Sequence, residues 1–179
     1  QINKLSDKRR VQYSPDGEAT VFQLPETGLV SVDSVKVNAQ DVTDGWTADT
    51  EKGTVTFSSA PTSGTNTVEI SYSTGIDFRS QVEKMRFSEL YNGAQDTRVF
   101  LYGDGSNQVF YSGLDTDGNA RADYFPDLNV ANIGEANTPV TGLIRHYSRL
   151  IAFKTDSTYS ISYSTITLED GRVTAGFYI

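Results

Sequence analysis

The sequence predicts an all-β protein, in which a small antiparallel β-sandwich of the immunoglobulin-like kind is followed by β-propeller-like blades. Short segments rich in Val, Ile, Tyr, Phe and Thr recur along the chain, and Gly, Ser, Thr and Asn separate them. Helical periodicity is weak by comparison. The best helical candidate, residues 80–93, fits it poorly and is predicted to be a strand from about Met85 onward.

The composition narrows the classes of function. A net charge of −8 argues against a nucleic-acid-binding surface, which needs clustered Lys and Arg, and the only basic run is Lys8-Arg9-Arg10. The chain has no cysteine, which excludes disulfides, thiolate metal sites and thiol catalysis. No apolar run approaches the roughly 20 residues of a membrane span. We therefore expect neither a membrane partner nor specific nucleic-acid binding. Because the chain starts at Gln1 and ends in the apolar run TAGFYI, we expect a fragment of a longer polypeptide.

The sandwich module is predicted over residues 11–75, with residues 1–10 as a linker or the end of a preceding region. Val68, Ile70 and Tyr72 alternate with polar neighbours. This period of two places one face of a strand in a core and the other in water, as in an antiparallel sandwich. The expected strands are TVFQL, VDSVKVN, WTADT, GTVTFS and NTVEISYS.

Two positions of the sandwich module have predicted local roles. Lys52-Gly53 is predicted to form a hairpin turn, because glycine tolerates the positive φ that tight turns need. Trp46, the only tryptophan, is predicted to pack in the core or at its rim rather than to bind a ligand.

The rest of the chain, residues 76–179, contains an internal repeat and is predicted to form two propeller-like blades. Residues 99–102 match residues 150–153, and residues 108–112 match residues 158–162. The offset of about 50 residues lies in the range of propeller blades. Because propellers typically have about four to eight blades, either the rest of the ring lies outside this fragment or the two units pack in another way. The alternative is a pair of ordinary meanders with an accidental similarity.

One polar turn is a candidate calcium site. Asp115, Asp117, Asn119 and Asp123 offer side-chain oxygens around Gly118, and calcium takes oxygen ligands from flexible loops. The spacing differs from that of an EF-hand, whose glycine and glutamate stand at other positions. The alternative is a polar surface turn in which Asp, Asn and Gly supply the backbone geometry. No other cofactor is predicted.

Aromatic side chains on solvent-exposed strand faces are candidates for stacking on sugars. Tyr91, Tyr102 and Tyr147 are the candidates here, although cross-strand and core packing is the default for strand aromatics. The single histidine, His146, would have to serve any Ser-His-Asp triad, and it is predicted to be a strand-surface or edge residue instead. No spacing singles out a carboxylate pair for glycoside hydrolysis. A glycosidase or sialidase is therefore the weakest alternative.

Several short segments of the predicted blades follow one another in an order that is fairly specific when the segments are taken together. They are Tyr111-Ser112-Gly113, Tyr124-Phe125-Pro126, Ile133-Gly134, PVTGL from Pro139 and LIAFK from Leu150, with Tyr159 after them. With these segments, residues 85–163 resemble tailed-bacteriophage and prophage virion structural proteins with propeller-like blades, among them head-completion, DNA-stabilising plug proteins. The first module is similar to the small β-sandwich decorations of phage tail proteins. The DTDGNARA stretch is longer than the family's usual connection.

The resemblance implies a structural role without catalytic residues. The expected function is that of a non-enzymatic virion component, in the head–tail connector (neck) or the tail. The expected partners are other virion proteins, in a homo-oligomeric ring, and the expected location is the virion, assembled in the cytoplasm of the bacterial host. The alternative function is a carbohydrate-binding tail module for host attachment, which would use Tyr91, Tyr102 and Tyr147.

Overall fold

The computed structural model shows an all-β protein with four small antiparallel sheets. The described residues are 2–93, 96–115, 117–167 and 173–179. The chain divides into two compact units: Ser6–Asp77, called the first unit, and Gln1–Leu5 with Phe78–Ile179, called the second unit. Among the described residues no helix has the length and hydrophobicity to cross a membrane.

The first unit consists of two sheets that share one core. Its strands are β1 (Lys8–Tyr13), β2 (Val21–Gln23), β3 (Ser31–Val37), β4 (Gln40–Asp41), β5 (Trp46–Asp49), β6 (Thr54–Phe57) and β7 (Val68–Ser73). Sheet 1 has the order β1-β7-β3-β4, and sheet 2 has the order β2-β6-β5. Both sheets contribute side chains to the core, which contains Phe22, Leu24, Leu29, Val35, Val55, Phe57, Val68, Ile70 and Tyr72. The alternation predicted for Val68, Ile70 and Tyr72 is confirmed, because all three point into this core.

The basic run near the start of the chain lies in a strand, where the sequence predicts a linker or the end of a preceding region for residues 1–10. Lys8–Tyr13 forms β1 and pairs antiparallel with β7 along its whole length. Strand alternation exposes Lys8 and Arg10 and buries Arg9, whose guanidinium donates to the carbonyls of Ser6 (2.8 Å) and Ile76 (3.1 Å). These hydrogen bonds offset part of the cost of burying Arg9 inside the first unit, although its buried Nε–H has no hydrogen-bond partner.

The hairpin turn predicted at Lys52-Gly53 is confirmed. β5 and β6 pair antiparallel up to Asp49 and Thr54, and the turn between them places Gly53 at φ +66°. A Cβ at Gly53 would lie 2.0 Å from the carbonyl oxygen of Glu26, so any side chain there requires the turn to shift. Trp46 is half-buried against the core, and its Nε1–H donates to the Val42 carbonyl at 2.8 Å, in agreement with the predicted packing role.

The second unit contains one short helix and two four-stranded meanders. Its elements are α1 (Arg79–Glu83), β8 (Phe87–Gly93), β9 (Asp96–Tyr102), β10 (Gln108–Tyr111), β11 (Val130–Asn132), β12 (Val140–His146), β13 (Arg149–Lys154), β14 (Thr158–Thr167) and β15 (Val173–Tyr178). Sheet 3 has the order β11-β10-β9-β8, and sheet 4 has the order β12-β13-β14-β15. The strand predicted from about Met85 begins at Phe87, after α1. Within the described residues none of the four sheets closes on itself.

The internal repeat corresponds to equivalent strands of the two meanders. Residues 99–102 lie in β9 and residues 150–153 in β13, each the second strand of its sheet. The aromatic segments of the repeat begin the third strands, β10 and β14. The two sheets share a core of Tyr91, Phe100, Val109, Ile133, Val140, Leu143, Leu150, Ala152 and Ile161.

The segments that carry the family resemblance contact one another. A Cβ at Gly113 would lie within 2.7 Å of both Tyr124 and Pro126, so the first two segments pack together only because this residue is glycine. A Cβ at Gly134, which has φ +54°, would lie 2.2 Å from the Tyr159 hydroxyl. The segments therefore have close-packing roles inside the second unit.

Candidate functional site

The candidate functional site is an apolar sheet surface, here called the outer face of sheet 4. It is formed by Ile144, Ile151 and Phe153, with Tyr178 at its margin. Ile144 pairs with Ile151 across β12 and β13, and Phe153 pairs with Gly142. The exposed fraction is 51% for Ile144 and 41% for Phe153. A sheet face that meets water is usually polar, and the β14 part of this face is polar, with Thr158, Ser160 and Ser162. The apolar side chains are concentrated on its β12–β13 part.

Strand alternation explains why this face is apolar. In β13, Leu150, Ala152 and Lys154 are buried toward sheet 3, so the residues between them must point the other way. Those residues are Ile151 and Phe153, which makes β13 apolar on both faces. Strands that are apolar on both faces are typical of sheets covered on both sides.

A second apolar surface lies on sheet 3 and is called the outer face of sheet 3. Val99 and Leu101 of β9 point away from the shared core, and Leu90 of β8 pairs with Val99. Leu90 is 54% exposed. Phe110 lies on the same face but is buried, with the Lys4 ammonium 5.0 Å from its ring centre. The open part of this face is therefore its β8–β9 half.

The three tyrosines predicted to stack on sugars do not form one surface. Tyr91 is only 1% exposed, and its hydroxyl donates to the Ser148 carbonyl at 2.6 Å. The prediction that it lies on a solvent-exposed face is wrong, because the shared core covers that face of β8. Tyr102 is half-buried with its ring 5.4 Å from that of Phe87. Tyr147 is 86% exposed in the β12–β13 turn.

His146 is an exposed residue at the end of β12, as predicted for a strand surface or edge. Its ring lies edge-on to Tyr147, with 4.6 Å between the ring centres. No hydrogen bond joins it to a serine or a carboxylate in the contacts described for this part of the chain.

The candidate calcium turn uses its carboxylates within the protein. Asp115 Oδ1 accepts hydrogen bonds from the backbone N–H of Asn119 (2.8 Å) and of Asp117 (3.0 Å), and these bonds lower the pKa of Asp115. Asp123 accepts two hydrogen bonds from Arg121, at 2.9 and 2.8 Å, which lower the pKa of Asp123. Both carboxylates are therefore held in their charged form by local donors.

The calcium assignment stays a prediction. Within the described residues no group of three or more Asp, Glu, His or Cys side chains has an arrangement suited to a metal ion. Titration of the protein with CaCl2 in a calorimeter, with Asp115→Ala as the comparison variant, tests the prediction directly.

Among the described residues, the second unit buries three cations that were not predicted: Lys154, Arg98 and Lys4. Lys154 Nζ donates to the Ile133 carbonyl at 2.8 Å and to the Glu135 carbonyl, and Arg98 Nη1 donates to the Ser112 carbonyl at 3.0 Å. The alternation of β13 indicates that Lys154 is buried, because Lys154 continues the buried series of Leu150 and Ala152. Its side chain fixes the chain segment that leads from sheet 3 to sheet 4.

A cavity of about 260 Å³ lies in the second unit, lined by Arg98, Tyr111, Gly113, Leu114, Asn129, Tyr163, Gly176 and Phe177. Two of its polar side chains, Arg98 and Asn129, donate to the Ser112 carbonyl. Burial raises the pKa of Tyr111, which keeps its hydroxyl neutral. This cavity therefore belongs to the packing between the sheets.

Comparisons of the chain with protein-family models, with curated protein sequences and with solved structures find no match.

Proposed function

We propose that the protein is a non-enzymatic structural component of a tailed-bacteriophage or prophage virion, in the head–tail connector or the tail, and that it acts through protein–protein assembly. The observation that carries this proposal is the outer face of sheet 4. Ile144 and Ile151 lie opposite each other on β12 and β13, and Phe153 follows on the same face of β13, so the β12–β13 part of this face exposes three apolar side chains. Exposed apolar patches of this kind mark interaction surfaces.

We further propose that sheets 3 and 4 are two blades of a propeller-like arrangement and that the first unit is an immunoglobulin-like β-sandwich. The meander order of both four-stranded sheets and their common core support the blade assignment. Sheets 1 and 2, with one core between them, support the sandwich assignment.

The proposed partners are other virion proteins, including further copies of this chain in a ring. Symmetric assembly multiplies weak contacts, so a modest apolar surface is enough for a stable ring. The proposed location is the virion, and the acidic net charge of −8 favours solubility before assembly.

Immunogold labelling of purified particles, with antibody raised against this chain, tests the proposal. Label at the head–tail junction supports a connector component, and label along or at the end of the tail supports a tail component. Mass spectrometry of the same particles independently measures how many copies of this chain each particle contains. Absence of label and of peptides from particles, with the protein present in the lysate, overturns the proposal.

A carbohydrate-binding tail module is the second candidate, and the exposure of Tyr147 favours it. An aromatic ring that is 86% exposed in a turn is available for stacking on a sugar. A glycan array tests this function: reproducible binding that Tyr147→Ala abolishes, and that Tyr91→Phe leaves intact, supports it. Binding that is absent, or indifferent to Tyr147→Ala, contradicts it.

A further inference from the structure

Equivalent faces of sheets 3 and 4 can be identified from backbone hydrogen bonds. In an antiparallel pair, alternate residues direct their N–H and C=O groups toward the neighbouring strand. The Ser112 N–H donates to the Val99 carbonyl at 2.9 Å, and Leu101 pairs with Phe110. Val99 and Leu101 therefore direct their backbone groups toward β10, the third strand of sheet 3.

The corresponding strand of sheet 4 is β13, and its backbone groups can be assigned in the same way. The Lys154 N–H donates to the Ser157 carbonyl at 2.9 Å, and Ala152 pairs with Tyr159. Ala152 and Lys154 therefore direct their backbone groups toward β14, the third strand of sheet 4. The two meanders have the same strand order. Because all residues are L, the side chains of Val99 and Ala152 lie on equivalent faces of their sheets.

The two sheets bury different faces in the shared core. Sheet 4 buries its Ala152 face in the shared core, whereas sheet 3 buries the face of Phe100 and turns Val99 outward. The two sheets therefore stack front to back, with non-equivalent faces in contact. Front-to-back stacking leaves one face of each type open: the outer face of sheet 4 at one end and the outer face of sheet 3 at the other.

We propose that the outer face of sheet 4 binds the outer face of sheet 3 of a second copy of this chain. This contact repeats, between chains, the packing that already joins the two sheets within one chain, and it identifies the surface through which the proposed assembly function acts. A contact between two different faces is heterologous. Such contacts continue from copy to copy, and they close into a ring when the rotation between copies permits it.

The chemistry of the two faces fits this contact. Ile144, Ile151 and Phe153 on the β12–β13 part of one face meet Leu90, Val99 and Leu101 on the β8–β9 part of the other, so the centre of the contact is apolar. The contact falls on the β8–β9 half of sheet 3, because Lys4 covers the ring of Phe110.

Sedimentation velocity of the purified chain tests the proposal. The wild-type protein is expected to sediment as multiples of 19.6 kDa. Phe153→Lys and Leu90→Lys each remove one face and are expected to sediment as monomers. When the two variants are mixed, one intact contact remains, so a dimer containing one copy of each is expected without further growth. Val21→Lys, at an exposed apolar position of the first unit, is the control and is expected to sediment as the wild-type protein.

Several outcomes overturn the proposal. A wild-type chain that stays monomeric at about 100 μM, where even weak specific contacts are populated, excludes the contact. Self-association of Leu90→Lys alongside monomeric Phe153→Lys indicates a symmetric contact through sheet 4 and contradicts the heterologous one. Near-UV circular dichroism checks that each variant is folded, and Ile144→Lys replaces Phe153→Lys if the latter unfolds.

The outcome for the contact is separable from that for the proposed virion function. Oligomers of the wild-type chain with no label on particles leave the contact standing and overturn the virion role. Labelled particles with a monomeric chain leave the virion role standing and overturn the contact.

Discussion

The hydroxyl of Tyr91, on β8 of sheet 3, donates to the carbonyl of Ser148 in the β12–β13 turn of sheet 4 at 2.6 Å. The same hydroxyl accepts a hydrogen bond from the backbone N–H of Tyr163 on β14 at 3.2 Å. The ring packs against Phe100 and Phe177, with centre-to-centre distances of 5.8 Å to each. One side chain of sheet 3 thus satisfies two backbone groups of sheet 4, which fixes the position of one sheet on the other.

Tyr91→Phe is expected to lower the free energy of unfolding of the second unit by about 1–3 kcal/mol, because two backbone groups lose their partner away from water. Urea denaturation followed by near-UV circular dichroism measures the change. Tyr147→Phe removes an exposed hydroxyl and is the control, with no expected effect. Equal stability of the two variants would show that Tyr91 contributes only its ring.

Lys154→Met is expected to destabilise the second unit by about 2–4 kcal/mol, because it leaves the carbonyls of Ile133 and Glu135 without their buried donor. The methionine retains most of the aliphatic stem, so the effect reports the ammonium group. Differential scanning calorimetry measures it, and Lys84→Met, at an exposed position, is the control. A melting temperature within error of the wild type refutes the role assigned to the ammonium.

Gly53→Ala and Gly28→Ala separate two costs of a side chain at positive φ. Both glycines have φ near +66°, but only at Gly53 does a Cβ collide, 2.0 Å from the Glu26 carbonyl oxygen. Gly28→Ala is expected to cost about 1–2 kcal/mol for the left-handed backbone alone. Gly53→Ala is expected to cost at least about 1 kcal/mol more, because the turn must move away from Glu26. The fluorescence of Trp46 reports both values, and equal costs would mean that the turn shifts freely.

Asp33 is expected to make the stability of the first unit depend on pH. Its carboxylate accepts hydrogen bonds from the hydroxyls of Ser31 (2.6 Å) and Ser73 (2.8 Å) and from Lys8 (3.3 Å). These interactions, chiefly the one with Ser31, lower the pKa of Asp33 in the folded protein. The stabilisation is therefore complete above the unfolded pKa of about 3.9, and it is lost as the pH falls through the lower folded pKa.

The corresponding variant is Asp33→Asn. It is expected to lower the stability of the first unit by up to about 1 kcal/mol at pH 7, since the carboxylate is partly exposed. The difference from the wild type is expected to shrink as the pH falls below the folded pKa of Asp33. Urea titrations followed by Trp46 fluorescence give both values, and Glu51→Gln, at an exposed turn, is the control. A difference that does not change with pH contradicts the assignment.

Features that depend on neighbouring residues were predictable from the sequence. The all-β class, the Lys52-Gly53 turn and the buried series of β7 follow from residue type and a period of two. The match of residues 99–102 with residues 150–153 identified equivalent strands of two meanders. The turn and the alternation of β7 are each set within a few positions of the chain, and the repeat is visible by comparing two segments of the sequence, so the spatial partner of a strand does not have to be known.

Features that depend on distant partners were not predictable. β1 was missed because its first half, Lys8-Arg9-Arg10, is basic and its apolar alternation is limited to Val11 and Tyr13. It is a strand because β7 offers an edge some sixty residues later. The exposure predicted for Tyr91 was wrong for a related reason. The alternation of β8 places the Tyr91 ring on one face of sheet 3, but the sequence of β8 does not determine which face sheet 4 covers.

Where a strand has apolar alternation, the local sequence predicts the strand and sorts its side chains onto two faces, since alternation is a property of the extended backbone itself. It does not specify which of two apolar faces becomes core. β13 has Ala152 on one face and Phe153 on the other. The packing of sheet 3 against sheet 4 determines that the Ala152 face is buried. The physical reason is that burial is a property of pairs of surfaces, and the second surface is contributed by residues far away in the chain.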